Sequence, residues 1–455
     1  MFVGRKEELE FLNEKYDNHK AQMIVLYGRR RIGKTELIKK LISERSGIYY
    51  LAEQLPEQLQ LKKFSEKVID FFDEEVITTF DDWEMLFRYL SHKKERFILA
   101  IDEFPYLIEK NPGLLSAFQK GWDEYLINSG VFLIISGSSM SVMENSVLGY
   151  KSPLYGRRTG QLLLKFFSIQ EIDDFFHRRL PFEDLLRVWG TLDGVPFYLQ
   201  QFDDSKSYYD NVREKVLNPG EVLFSEAEFL LNEELREPRN YFAILRAISL
   251  GKRKLGEIIN DTGIDKSSII KYMGVMDMLH LVEREVPVGE DPNKSKKGLY
   301  RISDNYFRFF FRYVFYYKDL ILMDQQERII ETLKNTESQF FSLTYEDLAK
   351  NLLNRISGDF YPEYGRWWDR NSEIDLIGIN REEKRAIFGE VKWTNKPAGV
   401  DVLNSLVTKT RTERWKEFEY HSYIIFSKAG FTSELLRISK DSPEILLVKG
   451  IERIC

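Results

Sequence analysis

The residues with the clearest chemical meaning lie near the amino end. Gly28-Arg29-Arg30-Arg31-Ile32-Gly33-Lys34-Thr35 has the spacing G-x-x-x-x-G-K-[ST]. Glycines at its two ends let successive main-chain N–H groups curl around a phosphate, and the start of the following helix adds partial positive charge. Lys34 would reach the β- and γ-phosphates and the Thr35 hydroxyl would ligate Mg²⁺, so residues 28–35 with Glu36 form the expected nucleotide-binding stretch. Such a loop needs a buried strand before it and a helix behind it. Met23–Tyr27 and the amphipathic run after Lys34 supply both.

Two carboxylates end another apolar run, Phe97-Ile-Leu-Ala-Ile101-Asp102-Glu103. Ionised groups at the end of a buried strand are costly unless they serve a cation or a proton transfer. Asp102 is expected in the Mg²⁺ shell, through water, and Glu103 as the base that polarises the attacking water. A third run, Val131–Ile135, ends in Ser136-Gly137-Ser138-Ser139. These hydroxyls either bond the γ-phosphate or its water, with Ser136 the first choice, or merely close a strand-to-helix turn. Arg157 and Arg158 either neutralise developing charge, from a neighbouring subunit of a homo-oligomer, or form a solvated pair.

With Phe2-Val3-Gly4-Arg5-x-x-Glu8-Leu9 and Gly194-x-Pro196, these motifs resemble the archaeal-type ATPase family, P-loop NTPases of the AAA+/STAND group. The resemblance covers roughly residues 1–235. It implies that Phe2, Val3, Gly4 and Arg5 border the adenine of ATP or ADP, and that Pro196 belongs to a helical lid over the nucleotide. ATP hydrolysis is the implied activity. A nucleotide-gated switch with little turnover, its C-terminal domains bound to a protein partner, is the alternative.

Further along, Tyr241–Ser249, Leu255–Asp261 and Lys266–Leu279 read as helices, followed by a hairpin within Leu281–Ile302. The second and third helices flank Thr262-Gly263-Ile264-Asp265, a turn of helix-turn-helix type. Lys266, Ser267, Ser268 and Lys271 are then candidates for double-stranded DNA, with Lys294, Lys296 and Lys297 on the wing. Residues 251–301 hold ten Lys/Arg against eight Asp/Glu, thin support for tight duplex binding. The same module could instead serve protein contacts.

Near the C-terminus, Glu373-Ile-Asp375 and Glu390-Val-Lys392 lie on two strands expected to be antiparallel. Alternation puts Glu390 and Lys392 on one face, with Asp375 able to approach them. Two carboxylates can hold Mg²⁺ and an ammonium can position water, the equipment of phosphodiester hydrolysis. Glu346, on a preceding helix, could add a ligand. The arrangement resembles the PD-(D/E)xK nuclease superfamily, a fold that also serves as an inactive binding module.

The whole chain frames these sites. Its 455 residues imply several cores, and 43% hydrophobic with 30% charged residues is ordered, globular composition. The expected fold class is α/β. The expected domains are a P-loop parallel sheet (1–165), a helical lid (166–235), a winged helix-turn-helix (236–304), a helical linker (305–334) and a nuclease-like domain (335–455). A net charge of −6 excludes a uniformly basic coat, and one cysteine, Cys455, with five histidines excludes a disulfide framework and a Cys/His zinc cage. A cytoplasmic location without a membrane span is expected.

Overall fold

The computed structural model describes residues 2–74, 76, 79–235 and 237–454, so Cys455 lies outside it. The chain divides into two compact units. The first holds the residues up to Phe175 together with Gly194–Gln201, and the second holds Phe176–Asp193 and the chain from Phe202 onward.

The first unit is built on β1 (Gln22–Tyr27), β2 (Gly47–Leu51), β3 (Phe97–Asp102), β4 (Val131–Gly137) and β5 (Gly160–Leu163), with α1 (Lys34–Glu44) following the loop after β1. The strands run parallel in the order β2-β3-β4-β1-β5. β1, β3 and β4 are buried along their whole length. That burial explains their near-continuous apolar sequences, since helices cover both faces of such sheets. Because all five strands point the same way, Gly28, Glu103 and Ser138 emerge at one edge, the usual place for a ligand in this architecture.

The second unit contains α2 (Arg239–Ser249), α3 (Leu255–Thr262) and α4 (Lys266–Met278), then an antiparallel hairpin of β6 (Val282–Glu285) and β7 (Leu299–Ile302). The Asp265 side chain caps α4 by accepting from the Ser267 and Ser268 amides. α5 (Gln326–Ser357) follows, 32 residues without Gly or Pro, stopped by Gly358 at φ +79°. The chain closes on β8 (Glu363–Trp368), β9 (Glu373–Asn380), β10 (Arg385–Lys392), α6 (Val400–Thr410), β11 (Tyr420–Ser427), β12 (Ile445–Lys449) and β13 (Glu452–Arg453). These strands form a mixed sheet in the order β13-β12-β11-β10-β9-β8. The β9–β10 pair is antiparallel, as its sequence indicates.

Three expectations differ from what is found. The stretch expected as one lid, 166–235, is divided between the two units. The boundary expected at 334/335 falls inside α5, where nothing interrupts the helical pattern. The loop between β6 and β7 does not stand free as a wing: Val288 donates its amide to Arg366 O on β8 and sits in the core formed with Trp367, Ile374 and Trp415.

Candidate functional site

The phosphate loop begins where β1 ends. Gly28 has φ +147°, and a Cβ there would meet Leu164 O at 2.6 Å, so only glycine fits. Gly33, at φ +95°, turns the chain into α1. Lys34 is almost wholly buried and donates to Gly28 O and Arg29 O, both at 2.8 Å, which holds its ammonium against the loop.

Aromatic and arginine side chains brace this loop. Arg29 lies over Phe166, with its guanidinium carbon 5.5 Å from the ring centre, and Arg31 lies over Phe197 at 4.2 Å. Arg30 donates to the Tyr106 hydroxyl at 3.1 Å. Arg5 is buried, donates to Ile32 O at 2.9 Å and stacks on Phe167. The opening segment is thereby tied to the loop. Gly4 is required because a Cβ would collide with Glu171, whose carboxylate accepts the Arg5 amide at 3.1 Å. Phe2 packs against the core beneath the sheet and Val3 is half-buried. Pro196 opens the short helix Pro196–Leu199, and Gly194 O accepts the Phe167 amide at 2.7 Å. Glu36 is exposed and pairs with Lys39.

The carboxylates are met by neutral donors. Asp102 is buried, and its Oδ2 accepts from Thr35 Oγ1 at 2.6 Å and from the Tyr49 hydroxyl at 2.9 Å. Burial, followed by the Asp102 charge, holds the Tyr49 phenol well above its usual pKa, so it remains a donor. Glu103 sits at φ 52° and accepts from the Ser138 hydroxyl and, at 3.3 Å, the Ser138 amide. Ser136 is fully buried, and its hydroxyl has no hydrogen-bond partner among the described residues. The serine on the glutamate is therefore Ser138. Arg157 grips both Asp123 oxygens and Pro153 O, while Arg158 donates to Leu148 O and covers Tyr155.

The oxygen donors Thr35 and Asp102 suit Mg²⁺, which is commonly held by one or two protein oxygens plus phosphate and water. The loop and Lys34 suit a phosphate chain. The expected cofactors fit the residues present.

The C-terminal carboxylates are met differently. Glu390 accepts from Lys392 at 2.6 Å and from Lys409, on α6, at 3.0 Å. Glu346 lies 3.4 Å from Arg366. Asp375 accepts the Val391 amide at 2.9 Å. Burial, then the Glu390 charge, raises the Asp375 pKa. Burial also raises that of Glu346, against the opposing pull of Arg366. The acids thus feel one another, yet among the described residues no three His, Cys, Asp or Glu come together as metal ligands. Glu390 and Glu346 are instead met by the chain's own cations. On α4, Lys266, Ser267 and Lys271 are exposed and Ser268 is half-buried. Lys296 is exposed, whereas Lys294 pairs with Asp291 and Lys297 with Glu290.

Residues 2–202 match a family described as an ATPase domain predominantly from Archaea, and residues 310–409 a family of archaeal and bacterial proteins of unknown function. The uncharacterized protein MJECL04 of Methanocaldococcus jannaschii is 40% identical over 436 residues, 94% of this chain and 96% of its own. The chain belongs to that archaeal protein's family, with residues 2–202 matching the ATPase-domain family. The uncharacterized ATP-binding protein MJ0423 of the same organism is 62% identical over 45 residues, 10% of this chain and 76% of its own. The Walker-type ATPase PABY2304 of Pyrococcus abyssi shares the fold, with a TM-score of 0.50, 23% identity, and coverage of 68% of this chain and 96% of that one. No helix among the described residues is long and apolar enough to cross a membrane.

Sequence reasoning about this ATPase domain missed Tyr49 and Tyr106. Tyr49 sits on β2, and nothing local in the sequence marks its hydroxyl as an Asp102 donor. In the second unit it missed Lys409 and Arg366, cations brought to the acids by α6 and β8.

Proposed function

We propose that this family member is a Mg²⁺-dependent ATPase whose second unit engages duplex DNA. The observation that carries the first part is the connected set at one sheet edge: Lys34 at the loop, Thr35 on Asp102, and Glu103 next in sequence, held by Ser138. Main-chain amides of residues 28–34 and the Lys34 ammonium bind the phosphates. Thr35 and Asp102 would hold Mg²⁺, which when bound offsets charge on the phosphate oxygens. Glu103 takes the proton of the attacking water, and the Ser138 hydroxyl and amide fix its carboxylate for that role. Arg5 and Phe2 border the base, and the Pro196 segment lies on the loop's arginine side through Arg31 and Phe197.

For DNA, support comes from Lys266 and Lys271 near the start of α4. Both are exposed and neither makes an ion pair among the described residues. α2–α4 with the β6–β7 hairpin are read as a winged helix. The docking of Val288 on β8 leaves α4, rather than the wing, as the contacting element. The C-terminal sheet is read as a nuclease-like fold used for binding rather than cutting, because Lys392, Lys409 and Arg366 already answer its acids.

The test is ATP turnover by the full chain with Mg²⁺, with and without plasmid, in the parent, Lys34→Ala and Glu103→Gln. Turnover lost in both variants, with nucleotide binding kept only in Glu103→Gln, supports the reading. Parental turnover in both removes it. Salt-sensitive DNA binding weakened in Lys266→Ala/Lys271→Ala supports the DNA assignment, and unchanged binding removes it.

A further inference from the structure

The second unit holds a cavity of about 160 Å³ whose walls share no residue with the nucleotide loop or with the acids of the C-terminal sheet. It is enclosed by the end of α2, by β7, by the aromatic-rich segment after Asn305 and by α5. Four of its wall residues are Arg253, Arg301, Arg308 and Arg312, and no carboxylate is among the described residues that line it.

Carboxylates stand behind these guanidiniums and are shared. Arg253 donates to Glu285 at 2.8 Å, and Glu285 also lies 3.9 Å from Arg301 and 3.8 Å from Arg366. Arg301 donates to Asp347 at 2.6 Å, and Arg308 lies 3.6 Å from the same carboxylate. Arg308 otherwise donates to neutral acceptors, Asn305 Oδ1 at 2.8 Å and Thr344 Oγ1 at 2.6 Å. Its Nε is buried with no hydrogen-bond partner among the described residues. Arg312 makes no ion pair among the described residues, although it lies beside the Tyr313 hydroxyl. Burial, then the neighbouring Arg366 charge, holds the Arg253 guanidinium below its usual pKa, as crowded like charges should.

A buried charge is costly unless paired and hydrogen-bonded, and forked guanidiniums match phosphate oxygens geometrically. A dianion answers two under-neutralised arginines better than a single carboxylate does. The remaining wall mixes polar Ser249, Thr336 and Gln339 with Phe340, Tyr313 and Leu343. The volume is below the roughly 300 Å³ at which sites for drug-sized ligands begin, which favours a small ligand. We propose that this cavity binds a small phosphorylated ligand, its phosphate met by Arg308 and Arg312 and any organic body lying against Phe340 and Tyr313. The ligand would join α2 and β7 to α5. This site is independent of the ATPase reading.

The test is calorimetric titration of the full chain carrying Lys34→Ala, so that the nucleotide loop no longer competes, with inorganic phosphate, pyrophosphate and adenosine 5′-monophosphate. At least one should bind saturably at one site, and Arg312→Gln should weaken that binding about tenfold or more while leaving the circular dichroism and the ligand-free melting temperature unchanged. Tightest binding of the monophosphate points to an ester as ligand, and tightest binding of phosphate or pyrophosphate to an inorganic anion. Arg308→Gln is a second variant, judged only if it folds. No saturable binding by any of the three, or equal affinity in Arg312→Gln, overturns the proposal.

Discussion

Each unit of this protein holds carboxylates on or beside its sheet, and the two differ in what answers them. In the ATPase domain Asp102 accepts from Thr35 and Tyr49, and Glu103 accepts from Ser138, all neutral. Neutral donors orient a carboxylate and leave its negative charge for a cation or a proton. In the C-terminal sheet Glu390 is held by Lys392 and Lys409, and Glu346 faces Arg366. At Glu390 two ammoniums already offset the charge. The acids thus meet different partners, neutral donors at Asp102 and Glu103 and ammoniums at Glu390.

The largest expected effect lies in the first unit. Glu103→Gln should lower ATP turnover by about 10²–10⁴-fold with nucleotide affinity kept, read by steady-state phosphate release and by titration. Lys34→Ala should weaken ATP binding by roughly 10–100-fold, since it removes a charged donor from the phosphates. Ser138→Ala should cost about tenfold in turnover with unchanged nucleotide affinity, because Glu103 loses its orienting hydroxyl.

The comparison itself can be broken in the second unit. Lys392→Gln/Lys409→Gln should cost on the order of 2 kcal/mol of stability, below the value for a fully buried pair because both ammoniums are partly exposed. The same double variant should acquire stabilisation by Mn²⁺ in thermal melts that the parent lacks.

The smallest effect concerns pH. Asp375 is pushed up to about 6 and Glu346 to about 8, chiefly by burial. A carboxyl whose folded pKa is raised favours the folded state while protonated. Its contribution is complete below the unfolded value of about 4 and is lost as pH rises through the folded one. The melting temperature should therefore fall between about pH 5 and pH 9, and Glu346→Gln should remove the alkaline part of that fall.

What could be read from sequence follows how local each signal is. The phosphate loop is contiguous, so its glycines, lysine and threonine announce themselves. β1, β3 and β4 are buried throughout and read as apolar runs. Sequence alone puts Ser136 first for the γ-phosphate or its water; that Ser138 rather than Ser136 meets Glu103 is set by how the β3 and β4 ends are placed, not by residue type. Lys409 sits in the last turn of α6 like any helix-ending cation, and only the packing of α6 on the sheet brings it to Glu390. Residues 176–193 and 202–235 carry an ordinary helical pattern that does not say which core it joins.

The central claim is that partner type separates a metal-ready carboxylate from a satisfied one, and counting bound Mn²⁺ by electron paramagnetic resonance tests it most directly. With a non-hydrolysable ATP analogue, the full chain should bind one Mn²⁺ that is lost in Asp102→Asn and kept in Glu390→Gln, whose carboxylate Lys392 and Lys409 hold. A tightly bound Mn²⁺ that disappears only in Glu390→Gln would contradict the account.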